Sequence, residues 1–255
     1  QILGFICLTF VPGILIIRIL RLHNLGAVHF MVYSMGLSLA TLMFTVFIMN
    51  TIFPLMGIFH PMSLWPLVWS VNGVVIILGY FAYIRDRSFS SADTLDLKEI
   101  LSPPVLILSL FPFGAIGATY FLNFYGSNIF LMILIFLIAL IPVVILFTGY
   151  IRENYYPYTI FILAITLLYH HSLISNYIWG WDINAEYYLV NTVIENAAWN
   201  PAVYDNLNAM LSLVMLGPMY SIILHMNPDW IFKIIYPLLF ACVPLGLFAI
   251  FRKQT

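Results

Sequence analysis

Two carboxylates four residues apart, Asp182 and Glu186, are the pair in this sequence best suited to chemistry. On a helix, residues four apart project from adjacent turns toward one region. A carboxylate within hydrogen-bonding reach of a hydroxyl or an amide can remove its proton while that group attacks an electrophile. The pair therefore predicts general acid–base chemistry, with both acids as candidate catalytic residues.

Structural roles account equally for the two acids. Asp182 stands where the N-cap of a following helix would stand, and Asp is among the preferred N-cap residues. Glu186 would then be a solvated acid near the helix start, where negative charge complements the helix dipole. The sequence leaves the catalytic and the structural interpretations open.

Three further side chains are candidates for binding. Lys233 would bind a lipid phosphate as a point charge, or it would snorkel from a helix end with its ammonium group in water. His170 and His171 would bind a divalent metal together with a carboxylate, or they would make ordinary hydrogen bonds at the membrane interface. Adjacent residues point about 100° apart on a helix, which disfavours their binding one ion together. No cofactor is certain from these residues.

The residues around the carboxylates predict a short helix over 183–196, lying at a membrane surface. Gly180 allows the chain to turn before it, and the Trp-Asn-Pro sequence at 199–201 ends it. One apolar stripe at helical spacing consists of Ile183, Tyr187, Val190 and Ile194. Four of the six tryptophans, and five of the ten acids, lie between residues 179 and 230. Aromatic residues favour the membrane interface, which supports the placement of this helix there.

The elements that must position these residues are membrane helices. Hydrophobic residues make up 63% of the chain and charged residues 7%, whereas a soluble domain has about a quarter charged residues. This composition excludes a water-soluble globular domain. A spanning helix needs about 17–25 mostly apolar residues. The runs that qualify are residues 2–20, 26–50, 64–84, 103–122, 128–149, 157–174 and 231–251.

We therefore expect an all-α fold, a polytopic transmembrane bundle of about seven spanning helices with additional interfacial or re-entrant helices. The expected location is the cell membrane, with membrane lipids as partners and no nucleic acid. The oligomeric state is left open by the sequence.

The placement of lysine and arginine predicts the orientation, because cytoplasmic loops carry an excess of these residues. The six basic residues before position 175 all fall on one side of an alternating path. They are Arg18, Arg21, Arg85, Arg87, Lys98 and Arg152. Residues 85–102 then form a cytoplasmic loop, in which a short amphipathic helix is expected, and residues 175–206 lie outside.

The apolar segment 207–224 is predicted not to span. A full crossing would place Arg252 and Lys253 outside, against the charge distribution of the rest of the chain. Gly217 and Pro218 interrupt the segment, which suits a bent, re-entrant helix buried against protein. Residues 175–230 would then form a cap on the outer side, with interfacial helices within 183–224.

This layout resembles the opening of the GT-C superfamily, whose members are membrane glycosyltransferases that use lipid-phosphate-linked sugars. The shared features are a transmembrane helix, an outward loop with an acidic residue and an interfacial helix, over residues 157–251. More narrowly, most of the chain resembles an uncharacterised archaeal multi-pass membrane family. The residues that carry the narrower resemblance are GWDINAEYY (180–188), AAWNP (197–201), FKIIYPLLFACVPL (232–245), VPGILIIRIL (11–20) and MGLSLA (35–40).

The superfamily resemblance implies a function. In GT-C enzymes a carboxylate of the first outer loop is the catalytic base or helps to position the acceptor, and Asp182 is the matching position. Glu186 has no clear equivalent. The donor would be a polyprenyl-phosphate-linked sugar, with its tail in lipid and its sugar at the interface. The alternative is a transporter or a non-catalytic membrane subunit.

The resemblance also implies a domain organisation. Residues 1–156 would form an N-terminal bundle of five helices, and residues 157–255 would begin a GT-C-like module. Both chain ends lie in or beside apolar runs, so we expect the chain to be a fragment of a longer protein.

Overall fold

The computed structural model describes residues 1–87 and 101–252, and within these ranges every regular element is a helix. The all-α fold class is confirmed for this part of the chain. The amphipathic helix expected in the loop 85–102 falls mainly on residues 88–100, outside the described residues.

Six of the described helices are long and apolar enough to cross a bilayer. They are α1 (Ile2–Ile19), α2 (Ala27–Ile52), α3 (Leu64–Arg85), α4 (Pro103–Tyr125), α5 (Ile129–Thr148) and the last helix, Pro228–Phe251. A 3₁₀ turn, Phe53–Met56, extends α2. Each helix lies within a few residues of a predicted run, because a long apolar run has few alternatives to a helix when no water is present to bind its backbone.

The seventh predicted span is shorter than expected. Residues 157–174 contribute α6 (Tyr156–Ser172), a helix of 17 residues that is not among the six. At 1.5 Å per residue such a helix is about 25 Å long, against about 30 Å for the hydrocarbon core. A 3₁₀ turn, Glu153–Tyr155, precedes α6, and His170 and His171 occupy its last turn. The apolar part is therefore short, and α6 falls just below the length of the six described helices that are long and apolar enough to cross a bilayer.

The segment that is predicted to lie outside folds in short pieces. After α7 (Asp182–Asn196) come a 3₁₀ turn, Leu207–Ala209, and an apolar helix, Ser212–Leu224, whose second part is α8 (Gly217–Leu224). Met210 between the two has an extended backbone. The apolar helix is too short to be a candidate span, so the prediction that 207–224 does not form a continuous span is confirmed. The last helix, Pro228–Phe251, is α9.

Two π-helical turns occur, one in the apolar helix Ser212–Leu224 and one in α9, and each stands just before a proline. Ser212–Leu216 precedes Pro218, and Ile231–Ile235 precedes Pro237. Proline has no N–H group, and its ring clashes with the carbonyl four residues earlier. A wider turn with hydrogen bonds five residues apart accommodates that clash. The two prolines therefore change the pitch of these helices without ending them.

The chain folds into two compact units, and each unit consists of two separate stretches. The first comprises Gln1–Ser90 and Gly180–Ile231, and the second comprises Ser91–Trp179 and Phe232–Thr255. The first unit thus contains α1–α3, α7 and α8, and the second contains α4–α6 and most of α9. The division into functional modules at residue 156 stays a prediction.

Close packing of α1 against α2 and α3 forms the base of the first unit. A Cβ atom added to Gly13 would lie 1.8 Å from the Ser34 carbonyl oxygen, so only glycine fits this crossing. The Gly13 N–H donates to Ser38 Oγ over 2.7 Å. Small residues allow membrane helices to approach closely, and a hydroxyl then supplies a hydrogen bond between them.

Helix α8 is buried against the bundle of the first unit. Met219 and Tyr220 are fully buried, and the Tyr220 hydroxyl lies 3.0 Å from that of Thr9 on α1. Leu224 at the other end of α8 reaches Gly4, where an added Cβ would lie 3.0 Å from Leu224 Cδ2. Helix α8 therefore runs antiparallel to α1, and Tyr220 lies about 7 Å further along α1 than Leu224 does. A buried, proline-interrupted helix of this kind fits the re-entrant arrangement that the sequence predicts.

In the second unit, α4 packs against both α5 and α6. One core contains Leu108, Ile162 and Ile165, and a second contains Ala115 and Leu134. These contacts leave much of α5 facing outward, as expected of a helix that contacts lipid.

Cysteine labelling tests the orientation of the first unit. In a background with Cys7 and Cys242 replaced by alanine, single cysteines at the exposed positions Asn24 and Ala185 are offered to a membrane-impermeant maleimide. We expect modification at position 185 in intact cells, and at position 24 only after permeabilisation, because Arg18 and Arg21 lie just before position 24. The reverse pattern would place the acidic helix in the cytoplasm and contradict the orientation.

Candidate functional site

Helix α7 carries both candidate carboxylates and forms where the sequence predicts it. The chain enters it through Gly180, whose φ of +139° is open to glycine and unfavourable for other residues. The Asn184 side-chain amide then donates to the Gly180 carbonyl and closes the entry turn. Ala197, in a left-handed conformation with φ of +48°, ends the helix.

One face of α7 packs on the first unit, against α8 and the π-helical turn before it. Val190 is fully buried, and Ile183, Tyr187 and Ile194 are half-buried, which confirms the predicted apolar stripe. Val193 is also buried, although the stripe did not include it. It extends the same face, because it lies three residues after Val190. Asp182 at the start of the helix and Tyr188 away from the stripe are exposed.

Asp182 is not an N-cap, and the capping interpretation is therefore wrong. It is the first residue of α7, and within the described part of the chain no side chain caps this helix start. An N-cap needs a non-helical backbone from which its side chain reaches the following N–H groups, whereas the helix already begins with Asp182. The exposed carboxylate lies at the start of the helix, beside the positive end of the helix dipole.

Glu186 differs from Asp182 in its environment. Its side chain is half-buried on the second turn of α7. Burial raises the pKa of Glu186 above its usual range, and the nearby charge of Asp182 raises it further. A pair of acids in unlike environments has one member that keeps its proton more readily than the other, which is the usual arrangement of acid–base centres.

A hydrogen bond from Tyr187 connects α7 to the start of α9. The Tyr187 hydroxyl hydrogen-bonds to the Asp229 carboxylate, and burial followed by this bond raises the pKa of Tyr187. Asp229 lies in the first turn of α9, which Asn227 caps by accepting the Asp229 N–H over 2.9 Å. No sequence pattern indicates this pair, because the two residues are far apart in the chain.

The chain after α7 is fixed by two buried asparagines. Asn50 on α2 donates to the Trp199 carbonyl and accepts the Trp199 N–H, each over 2.8 Å. Asn208 accepts the Trp199 indole N–H over 3.0 Å and donates to the carbonyls of Asn200 and Val203. These hydrogen bonds therefore hold the Ala-Ala-Trp-Asn-Pro segment (197–201) against the end of α2. The sequence indicates this contact only by an isolated asparagine in an apolar helix, because a buried amide requires hydrogen-bond partners.

Lys233 belongs to the second unit and is buried, with 7% of its surface exposed. Its ammonium group donates to the carbonyls of Ser175 and Asn176 over 2.9 and 2.7 Å, and its own carbonyl accepts from Ser172 Oγ. Its burial contradicts the snorkelling interpretation, which requires the ammonium group to be in water. A phosphate would have to compete with the two carbonyls, so the phosphate-binding role stays a prediction without support from this geometry.

The candidate residues are divided between the units. Asp182 and Glu186 come together in the first, whereas His170, His171 and Lys233 belong to the second. Among residues 1–87 and 101–252, no three His, Cys, Asp or Glu side chains converge as metal ligands. The weak metal candidates therefore gain no support.

Comparisons with other proteins identify no family for this chain. No family model, curated protein or solved structure matches this chain. The resemblance to GT-C enzymes and to archaeal membrane families therefore stays a prediction that rests on the residues quoted for it.

The raised pKa of Glu186 predicts a pH-dependent stability. Because the carboxyl ionises less readily in the folded protein than in the unfolded chain, ionisation destabilises the fold. The destabilisation is absent below about pH 4, grows as the pH rises through the raised pKa, and is complete above it. Glu186→Gln should therefore raise Tm relative to wild type at pH 8 and leave it unchanged at pH 4. Glu195→Gln, at an exposed position of the same helix, is the control, and an equal response of both variants would refute the prediction.

Proposed function

We propose that this chain carries the acid–base centre of a membrane enzyme that transfers a sugar from a polyprenyl-phosphate-linked donor at the outer membrane face. One observation carries the proposal. Asp182 is an exposed carboxylate without a capping role, and it stands beside Glu186, a half-buried acid whose pKa is raised. An interfacial helix with one buried and one exposed face supports the pair.

The chemistry assigned to Asp182 is proton removal from the acceptor. The acceptor hydroxyl attacks C1 of the sugar, and its proton passes to Asp182. The bond between C1 and the phosphate oxygen breaks, and its electron pair leaves with the polyprenyl phosphate. Nearby carboxylates also favour the positive charge that develops on the sugar ring.

Glu186 has a secondary role in this scheme. Burial raises the pKa of Glu186, so this carboxyl holds its proton more readily and is less suited to be the base. Asp182, the more exposed of the two, is therefore the base, and Glu186 tunes it.

The aromatic residues around the pair suit a lipid-linked substrate. Trp181 is 97% exposed and directly precedes Asp182, and Tyr188 on the same helix is also exposed. Amphipathic rings of this kind are favourable where hydrocarbon meets water. A donor with its isoprenoid tail in lipid presents its sugar at that level.

The experiment is sugar transfer in proteoliposomes. Purified protein is supplied with radiolabelled polyprenyl-phosphate sugars and a water-soluble acceptor extract, and labelled product is separated from lipid. Transfer above that of empty liposomes is the expected result. Uptake of labelled sugar without a new covalent product would instead indicate a transporter. Neither transfer nor uptake would indicate a non-catalytic subunit, and both of these outcomes would overturn the proposal.

A further inference from the structure

An arginine cluster lies in the first unit, where α1 and α3 end side by side. We define it as Arg18, Arg21, Arg85 and Arg87. Its centre is Asp86, a carboxylate that is only 3% exposed. Arg18 Nε lies 3.5 Å from one Asp86 oxygen and His23 Nε2 lies 3.4 Å from the other.

Asp86 therefore serves as the internal counter-charge of Arg18. The Arg18 guanidinium also donates to the Asp86 backbone carbonyl over 3.1 Å, so it holds the end of α3 at two points. A buried carboxylate needs such partners, because an unpaired buried charge is strongly unfavourable. This ion pair is part of the fold, and the remaining arginines extend from it.

Arg21 is oriented by an unusual backbone. Its φ of +56° is in the left-handed region, which a long side chain seldom adopts. This conformation brings its Nε to the Arg85 carbonyl, to which it donates over 2.8 Å. The bond uses one of the five N–H donors of the guanidinium, and the side chain remains exposed beside Arg85.

Arg85 and Arg87 complete the charged surface. Both are exposed, and the Arg87 guanidinium lies 5.7 Å from the centre of the Tyr83 ring. Within the described ranges, the ion pairs of this region all involve Asp86. Three exposed arginines beyond the Arg18–Asp86 pair therefore leave an excess of positive charge at the ends of two spanning helices.

We propose that the arginine cluster binds the phosphate of an anionic membrane lipid. The guanidinium fork matches phosphate oxygens in geometry as well as in charge. Clusters of basic residues just beyond a transmembrane helix attract anionic lipids of the cytoplasmic leaflet, and the charge distribution assigns this end to that side. The Tyr83 ring near the end of α3 is exposed, and aromatic residues are favourable at the level of the lipid headgroups. The inference is independent of sugar transfer.

The test is a lipid titration of the purified protein in detergent by native mass spectrometry. Phosphatidylglycerol and the zwitterionic phosphatidylcholine are compared, and Kd is obtained for each. We expect wild type to bind phosphatidylglycerol at least tenfold more tightly. R85Q/R87Q should weaken phosphatidylglycerol binding by about 25-fold, at about fivefold per arginine, and leave phosphatidylcholine binding unchanged. This variant retains Arg18, Arg21 and Asp86, so the contact between the helices is preserved.

The matched control is R152Q/R252Q, which removes two exposed arginines from the second unit. It should change phosphatidylglycerol binding less than threefold. If a thermal melt shows that R85Q/R87Q is not folded, R85K/R87K is used in its place. This variant keeps the positive charges but lacks the forked guanidinium groups, and it should weaken phosphatidylglycerol binding about threefold. Equal binding of both lipids by wild type would overturn the proposal. Equal losses in the cluster and control variants would overturn it as well.

Discussion

Asp182→Asn is expected to lower the rate of sugar transfer by about 10²- to 10⁴-fold, which is the usual cost of losing a general base. The substitution keeps the size and shape of the side chain and removes its ability to accept a proton. Because Asp182 makes no capping bond, the fold loses only its interaction with the helix dipole, worth about 0.3–1 kcal/mol. The measurement is transfer from a polyprenyl-phosphate donor in proteoliposomes, alongside the thermal melt of each variant.

Two variants on the same helix are the controls. Glu195→Gln removes an exposed acid from the opposite end of α7 and should leave transfer unchanged. Glu186→Gln should cause a smaller loss than Asp182→Asn, because Glu186 acts through its neighbour. A folded Asp182→Asn protein with full activity would show that Asp182 is a solvated first-turn acid.

Gly13→Ala is expected to have the largest effect on stability, with a loss of at least about 3 kcal/mol in the free energy of unfolding. The added methyl group would lie 1.8 Å from the Ser34 carbonyl oxygen, and a backbone atom cannot move aside as a side chain can. Overpacking of a core typically costs about 1–3 kcal/mol, and here α1 and α2 must separate. The Gly13 N–H would then also lose its bond to Ser38. Unfolding of the purified protein by denaturant in mixed micelles measures the change.

Gly36→Ala supplies the comparison, since Gly36 lies on α2 and nothing lies within 4 Å of an added Cβ. Alanine favours a helix over glycine, so this variant should be as stable as wild type or slightly more stable. If both variants lost a similar amount of unfolding free energy, the cause would be the replacement of a helical glycine in general and not the close approach of α1 and α2 at Gly13.

The spanning helices and α7 could be predicted from the sequence because each depends on local patterns. An apolar run of sufficient length determines a spanning helix, and the spacing of Val190 and its neighbours determines the buried face of α7. The exact helix start could not be predicted, because a shift of one residue decides whether Asp182 caps the helix or begins it. The partners of Asn50 and Tyr187 depend on tertiary packing between distant segments, which no local pattern encodes.

The placement of basic residues and the lengths of the helices predict different numbers of spans. If only the six long helices crossed the membrane, Arg252 would lie on the side opposite to the six basic residues that precede position 175. The charge rule is satisfied only if α6 also crosses. A helix of 17 residues is at the lower limit of a span, and local thinning of the bilayer accommodates such a mismatch at modest cost.

The discontinuous first unit has a consequence for synthesis. Its α1–α3 bundle is translated first, but α8 and the Trp199 segment that fill it come from the stretch Gly180–Ile231. At about 5–20 residues per second, the ribosome needs on the order of ten seconds to reach that stretch after α3. During this interval Thr9 and Asn50 lack the partners that they have in the folded protein. The α1–α3 bundle therefore reaches its final packing only after translation has passed residue 224.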